Sequence, residues 1–254
     1  MVCRHYRDEV DTIRPYFQSD HATLYVGDCR DVCAELPRRS VDLLVTDPPY
    51  GVRWQSGRRG EKFDPIAGDD GTLDVPEVLG EIVTRTLRPH RHVYVFGYPP
   101  DALAGPCKLG GTSELIWNKA QIGPGALDAP WGPSWERITF GVYTPSAANR
   151  KAGGGRLSAR LRAESVLTFP RPNSRGVNKH PTEKPVPLMR TLVESSSLVG
   201  EVVLDPFAGS GSTLVAAVLA GRRAVGVELD ERYAETAAKR LEKAEALVRD
   251  MVGI

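Results

Sequence analysis

Thr46-Asp47-Pro48-Pro49-Tyr50-Gly51 brings a carboxylate, two prolines and an aromatic ring into one short stretch. It follows Val41-Asp42-Leu43-Leu44-Val45, an apolar run that predicts a buried parallel strand. Proline cannot continue a ladder, so the strand should stop here and leave Asp47 and Tyr50 at its carboxyl end. Open α/β sheets bind their ligands outside that end. The group suits methylation of a base's exocyclic amino nitrogen, a poor nucleophile because its lone pair is delocalised into the ring. Two acceptors taking the two amino hydrogens would draw the nitrogen toward tetrahedral geometry and expose that lone pair. Asp47 supplies one acceptor, and the Pro48 carbonyl, rigidly placed by the fixed proline φ, supplies the other. Tyr50 offers a flat face on which an extruded base can stack. Alone, these residues fit an ordinary Asp-Pro-Pro turn equally well, and the rest of the chain must decide.

A second chemical stretch is Asp205-Pro206-Phe207-Ala208-Gly209-Ser210-Gly211-Ser212-Thr213. A predicted strand, Glu201–Leu204, precedes it, and an almost wholly apolar helix, Thr213–Ala220, follows. A further strand, Arg223–Val227, is closed by Glu228. Strand, glycine-rich turn, helix, strand and acidic residue form the logic of a nucleotide-type cofactor site. Gly209 and Gly211 let a ligand approach the backbone, and Glu228 can hold two ribose hydroxyls. Gly27-Asp28-Cys29 ends another short strand, Ala22–Val26, where Asp28 serves either a cofactor or a turn or N-cap.

The elements that must position these groups alternate along the chain. Arg30–Leu36 predicts one or two helical turns, Leu73–Leu87 a helix stopped by Pro89, and His92–Gly97 a buried strand. Asp101–Cys107 predicts a short helix, and Glu114–Trp117 and Glu136–Phe140 two strands. Trp117 and Trp135 are expected to pack rather than stack on bases. Ser165–Phe169 predicts a short strand, a helix runs to about Ser196, and Asp230 caps a final helix reaching about Val248. Met1–His21, polar and interrupted by Pro15, is a loose arm or a cover for a sheet edge.

The 254 residues suffice for one α/β domain, 1–254, with a sizeable core. Charge is nearly balanced, 33 basic against 32 acidic, so a nucleic-acid partner must meet a local basic face. Two segments qualify. Val52–Asp70 is a long loop carrying Arg58 and Arg59 directly after Tyr50. Gly141–Glu164 holds Arg150, Lys151, Arg156, Arg160 and Arg162 against Glu164, so 5 − 1 gives a local +4 around three consecutive glycines. Four cysteines show no CxxC pair and no metal-ligand spacing with the histidines; reduced thiols and no metal are expected. No run suits a membrane span or a signal peptide, so a soluble, cytoplasmic protein is expected.

DPPYG (Asp47–Gly51) and DPFAGSG (Asp205–Gly211) resemble motifs IV and I of the S-adenosylmethionine-dependent amino-methyltransferases of DNA. The catalytic motif precedes the FxGxG motif, which is the circularly permuted β-class order. GDC (Gly27–Cys29) resembles that class's motif III, HPTEKP (His180–Pro185) its motif X and GVELD (Gly226–Asp230) its motif II. VYVFG (Val93–Gly97) and ELIWNK (Glu114–Lys119) resemble motif VI and the segment near motifs VII–VIII. The resemblance implies a Rossmann-like fold, a seven-stranded, mostly parallel sheet with helices on both faces. It also implies S-adenosylmethionine as cofactor, held by Asp28, Cys29, Asp205, Phe207, Gly209, Gly211 and Glu228, with Thr182 and Lys184 near it. Asp47, Pro48, Pro49 and Tyr50 become the catalytic group. Gly141–Glu164 stands where the family inserts its target-recognition region, which makes Arg150, Lys151, Arg156 and Arg160 candidate DNA contacts, beside Arg58 and Arg59 of the loop Val52–Asp70. Trp135-Glu136 departs from the His-Glu that relatives often carry.

The reading that results is a DNA methyltransferase that flips one nucleotide from duplex DNA and methylates its amino nitrogen without a covalent intermediate or metal. Adenine N6 is the favoured target, since N4-cytosine enzymes more often carry Ser-Pro-Pro-Tyr; cytosine N4 is the alternative. A nucleotide-binding domain without nucleic-acid activity would leave Asp47–Tyr50 idle. Chemistry at cytosine carbon 5 would need a cysteine nucleophile, and Pro106-Cys107 lacks the motif order for it. A homodimer and a cognate restriction nuclease stay open as partners.

Overall fold

Val41–Thr46 is buried at every position, as a strand covered by helices on both faces must be. The computed structural model describes residues 13–50, 71–121, 130–150, 163–172 and 183–252. In chain order the elements begin β1 (Phe17–Gln18), β2 (Ala22–Val26), α1 (Cys29–Glu35), β3 (Val41–Thr46), α2 (Val75–Thr86) and β4 (Leu87–Phe96). They continue α3 (Pro100–Ala104), β5 (Leu109–Asn118), β6 (Trp135–Tyr143), α4 (Ala147–Arg150) and β7 (Val166–Thr168). The last are α5 (Val186–Ser196), β8 (Val202–Asp205), α6 (Ser212–Leu219), β9 (Arg223–Glu228) and α7 (Glu231–Val252).

One nine-stranded sheet runs in the order β1-β2-β9-β8-β3-β4-β6-β5-β7. From β2 to β4 all pairings are parallel, while β6 runs antiparallel to both β4 and β5. The seven expected strands are all present, so the mostly parallel Rossmann-like architecture stands. The count rises to nine at the two edges of the sheet. There β1 pairs antiparallel with β2, and β7, the short strand expected at Ser165–Phe169, pairs with β5. The Phe17–Gln18 segment therefore covers a sheet edge, the second of the two roles open to it.

Alternation along β3 sorts the core. Leu43 and Val45 join the cluster under α5, α6 and α7, and Leu44 the one under α1, α2 and α3; Val41 joins the second as well, because the ladder slips between it and Leu43. The helix following β8 thus covers one face and the helix following β3 the other. The two strands are neighbours (Leu44 opposite Leu204), which makes their carboxyl ends a topological switch point.

Strand β4 starts immediately after α2 and runs through Pro89, five residues earlier than the strand expected from His92. The ladder slips between Val41 and Leu43, so Pro89 falls in a bulge that needs no ladder N–H. The far end of β3 is anchored by Asp42, buried between Arg88 and Arg91 and accepting from Val202 N at 3.0 Å. No helix among the described residues is long and apolar enough to cross a membrane.

Candidate active site

The ladder registers bring the chemical residues to one edge of the sheet. Val26 lies opposite Glu228, Asp205 opposite Gly226, and Thr46 opposite Val95. Thr46 Oγ1 donates to Asp205 Oδ1 at 2.7 Å, which ties the start of the Asp47 turn to the start of the glycine turn. Asp205 also accepts from Phe207 N at 3.1 Å, and burial pushes its carboxyl up to about 6. Its bonds point into the protein, so it shapes the turn between β8 and α6.

Asp47 sits at the centre of a charged cluster. Tyr50 Oη donates to Asp47 Oδ1 and Lys184 Nζ donates to Oδ2. Lys184 arrives just before α5, is only 5% exposed, and lies 3.3 Å from Glu136 Oε2. Glu136, at the start of β6, pairs through Oε1 with Lys119 Nζ at 2.6 Å; Lys119 stands at the end of β5 and is 3% exposed. Asp47, Lys184, Glu136 and Lys119 therefore alternate in sign and sum to zero. Burial raises the Asp47 carboxyl above the ordinary range, opposed by Lys184 and helped by Glu136. Burial also acts to discharge Lys184, but Asp47 and Glu136 outweigh it and hold the ammonium charged. Aromatic faces line the cation's other side, Phe96 at 5.1 Å and Trp117 at 6.0 Å.

The Tyr50 ring is 37% exposed and lies over Gly97, which takes φ +80°. A Cβ there would fall 2.1 Å from the ring, so only glycine leaves room. Tyr98, 6.2 Å from Tyr50 between centroids, donates to Pro49 O at 2.8 Å and steadies the turn. Gly97→Ala is expected to cost about 1–3 kcal/mol from the left-handed backbone alone. It should also displace Tyr50, lowering turnover while cofactor affinity holds. Thermal unfolding beside titration calorimetry reads both effects, and unchanged turnover would contradict the placement of Tyr50.

In the glycine turn, Glu228 accepts from Gly209 N at 2.7 Å through one oxygen and from Asp230 N at 2.9 Å through the other. Each oxygen keeps a lone pair for a hydroxyl. Gly209 and Gly211 both have positive φ. At Gly211 the close neighbour is protein, because a Cβ would meet Ala237 Cβ of α7 at 2.8 Å. This glycine seats the turn on the helix, in addition to any approach by a ligand. Arg240 of α7 donates to Ser210 O at 2.7 Å and pairs with Glu183 at 3.0 Å, tying the turn to the segment that carries Lys184. Phe207 packs against the core on the α1–α3 face.

Asp28 caps α1 through Arg30 N at 2.8 Å and pairs with the Arg30 guanidinium, which holds its carboxyl below the usual range. Cys29 follows it, buried. Cys29, Cys33 and Cys107 are free and their thiols are pushed up to about 12 by burial, which removes Cys107 as a nucleophile. Arg150 turns inward, its guanidinium on the carbonyls of Thr144 and Pro145 at 3.4 and 3.3 Å. Gly141–Tyr143, the opening of the basic segment, complete β6. Arg58, Arg59, Lys151, Arg156, Arg160 and Thr182 lie outside the described residues. Trp117 is buried as expected, but Trp135 is 50% exposed because β6 alternates, Glu136 facing the cluster and Trp135 the other side.

Residues 41–239 match the family N6_N4_Mtase, described as DNA methylase. The DNA adenine methyltransferase YhdJ of Escherichia coli (strain K12) is 27% identical over 259 residues, 90% of this chain and 85% of YhdJ. TTHA0409 of Thermus thermophilus, solved in complex with S-adenosyl-L-methionine, is similar at TM-score 0.60 and 28% identity, over 89% of this chain and 96% of that one. The PvuII DNA methyltransferase (cytosine-N4-specific) reaches TM-score 0.71 over 96% of this chain and 97% of its own. At 16% identity that likeness is one of fold.

Proposed function

The chain belongs to the DNA methylase family N6_N4_Mtase, and on that premise we propose that it methylates the N6 amino group of adenine in double-stranded DNA, using S-adenosylmethionine. The carrying observation is the Thr46–Asp205 bond, which fixes an amino-accepting carboxylate beside the glycine turn. The residues of that turn fit the cofactor. Glu228 keeps two lone pairs for the ribose hydroxyls, and Gly209 carries no side chain to block the approach. The cofactor supplies an electrophilic methyl group when bound.

The chain's own residues prepare the nucleophile. Asp47 and the Pro48 carbonyl accept the two amino hydrogens and localise the nitrogen lone pair, while Tyr50 stacks on the flipped base. Catalysis is then positioning and electrostatics. The basic segment Gly141–Glu164 serves target recognition, with Arg58, Arg59, Lys151, Arg156 and Arg160 toward phosphates. Arg150, bonded to its own loop, holds the base of that segment.

Adenine is preferred because Asp rather than Ser precedes Pro-Pro-Tyr, and YhdJ is named for adenine. Cytosine N4 presents the same two hydrogens and is the second reading, in keeping with the PvuII enzyme's fold. Transfer of labelled methyl to unmethylated genomic DNA, followed by mass analysis of the nucleosides, should yield N6-methyladenine. N4-methylcytosine would overturn the base alone. No methylated nucleoside from cofactor-loaded protein would overturn DNA methylation.

A further inference from the structure

Both oxygens of Asp47 already have partners, Tyr50 on Oδ1 and Lys184 on Oδ2. Each oxygen keeps a second lone pair, but one held by an ammonium is a weaker acceptor, so an amino group that donates to this carboxylate competes with Lys184 for its charge. A second acceptor lies ready for the lysine. Glu136 Oε2 is buried, lies 3.3 Å from Lys184 Nζ, and carries no hydrogen bond among the described residues. A buried carboxylate oxygen without a hydrogen bond is costly, and a small shift of the ammonium would satisfy it. The other Glu136 oxygen is held by Lys119, so the carboxylate is fixed in place and only partly neutralised.

We propose that Glu136 is a positioning residue that acts through Lys184: when the amino group of the target base enters, the ammonium moves from Asp47 to Glu136 and frees Asp47 as acceptor, with Lys119 setting how strongly Glu136 pulls. This rests on the reading of Asp47 as the amino acceptor. No covalent bond changes in the transfer, and the cluster stays neutral throughout. The arrangement keeps Asp47 paired before the base arrives, which a bare buried carboxylate would not be. The charged and titratable groups facing Asp47 are Tyr50 on its own turn, Lys184 before α5, Glu136 on β6 and Asp205 at the end of β8, with Tyr98 after β4 facing Tyr50. Behind Glu136, Lys119 faces Arg171 as well.

Two variants test this with opposite signs. In Glu136→Gln the lysine has no second anion, so it stays on Asp47 and competes with the base. The turnover rate should fall roughly 10–100-fold, the worth of one charge-assisted hydrogen bond, with cofactor affinity held within about twofold. Loss of the neighbouring anion also favours ionised Asp47, so the acid limb of the rate–pH profile moves to lower pH. In Lys119→Gln, Glu136 draws Lys184 more strongly from Asp47, and the acid limb moves to higher pH. Glu136→Asp, which keeps the charge, should recover part of the rate and restore the limb. General destabilisation cannot move the limb in opposite directions. If Glu136→Gln does not fold, the sign from Lys119→Gln decides. Limbs that stay in place, or move the same way in both variants, overturn the proposal. An inactive wild-type protein, by contrast, overturns the proposed function and this inference with it.

Discussion

Asp47→Ala should lower methyl transfer roughly 10³-fold, within the range seen when one preorganised polar partner is removed from a reacting centre. The cofactor turn should be untouched, because Asp47 makes no hydrogen bond to Gly209 or Glu228. Its partners are Tyr50 and Lys184. Asp47→Asn separates the two properties of the residue. The amide oxygen still accepts a hydrogen, but the charge that holds Lys184 is gone, so an intermediate loss of roughly 10–100-fold is expected. Single-turnover transfer measures the loss, and calorimetric titration with S-adenosylmethionine measures the binding. Alanine with more than about a tenth of the wild-type rate would remove Asp47 from the proposed chemistry. Loss of cofactor binding alongside the rate would instead make it a folding residue.

Much of this site is legible in the sequence because its residues are contiguous. Asp47–Tyr50 and Asp205–Gly211 each follow an apolar strand, and a strand that ends at proline or glycine says where its side chains will stand. The order of elements then fixes a parallel sheet whose carboxyl edge collects both turns. Long-range pairing is not legible. Glu136 meets Lys184 and Lys119 only because β6 turns antiparallel and places Glu136 opposite Trp117. A one-residue slip would have turned Trp135 inward instead. The one usable signal is that Lys119 and Glu136, of opposite sign, stand at the ends of two strands that run through apolar residues. Lys184, expected near the cofactor, stands on Asp47, a partner 137 positions away. Gly97 is a similar case: its strand is predictable, but its role under the Tyr50 ring belongs to the fold. Strand β1 leaves no trace in the sequence because two residues carry no periodicity. Strand β7 is legible as a strand, whereas its place at the far edge beside β5 is again a matter of long-range pairing.

Lys184→Met should produce the largest change in stability. The side chain is almost wholly enclosed and neutralises two carboxylates, and methionine fills similar volume without charge. Breaking a buried pair from one side costs about 3–5 kcal/mol, because an uncompensated charge stays behind. The pH dependence gives the mechanism away. Without the ammonium, burial and the Glu136 charge raise the Asp47 carboxyl further above its value in the unfolded chain, and Glu136, left with Lys119 alone, rises from its lowered value. The variant then binds more protons on folding than wild type does, so it gains on wild type as pH falls through the folded values. The deficit against wild type should therefore be full at pH 8 and shrink steadily toward about pH 5. Urea unfolding of both proteins across that range measures it, and a deficit independent of pH would show that the lysine stem, not its charge, is what the fold needs. The same variant also divides the two roles open to Lys184. Unchanged affinity for S-adenosylmethionine would assign the ammonium to Asp47 and Glu136. A parallel loss of affinity would mean that it serves the cofactor as well, and that the carboxylate pair and the donor site share one cation.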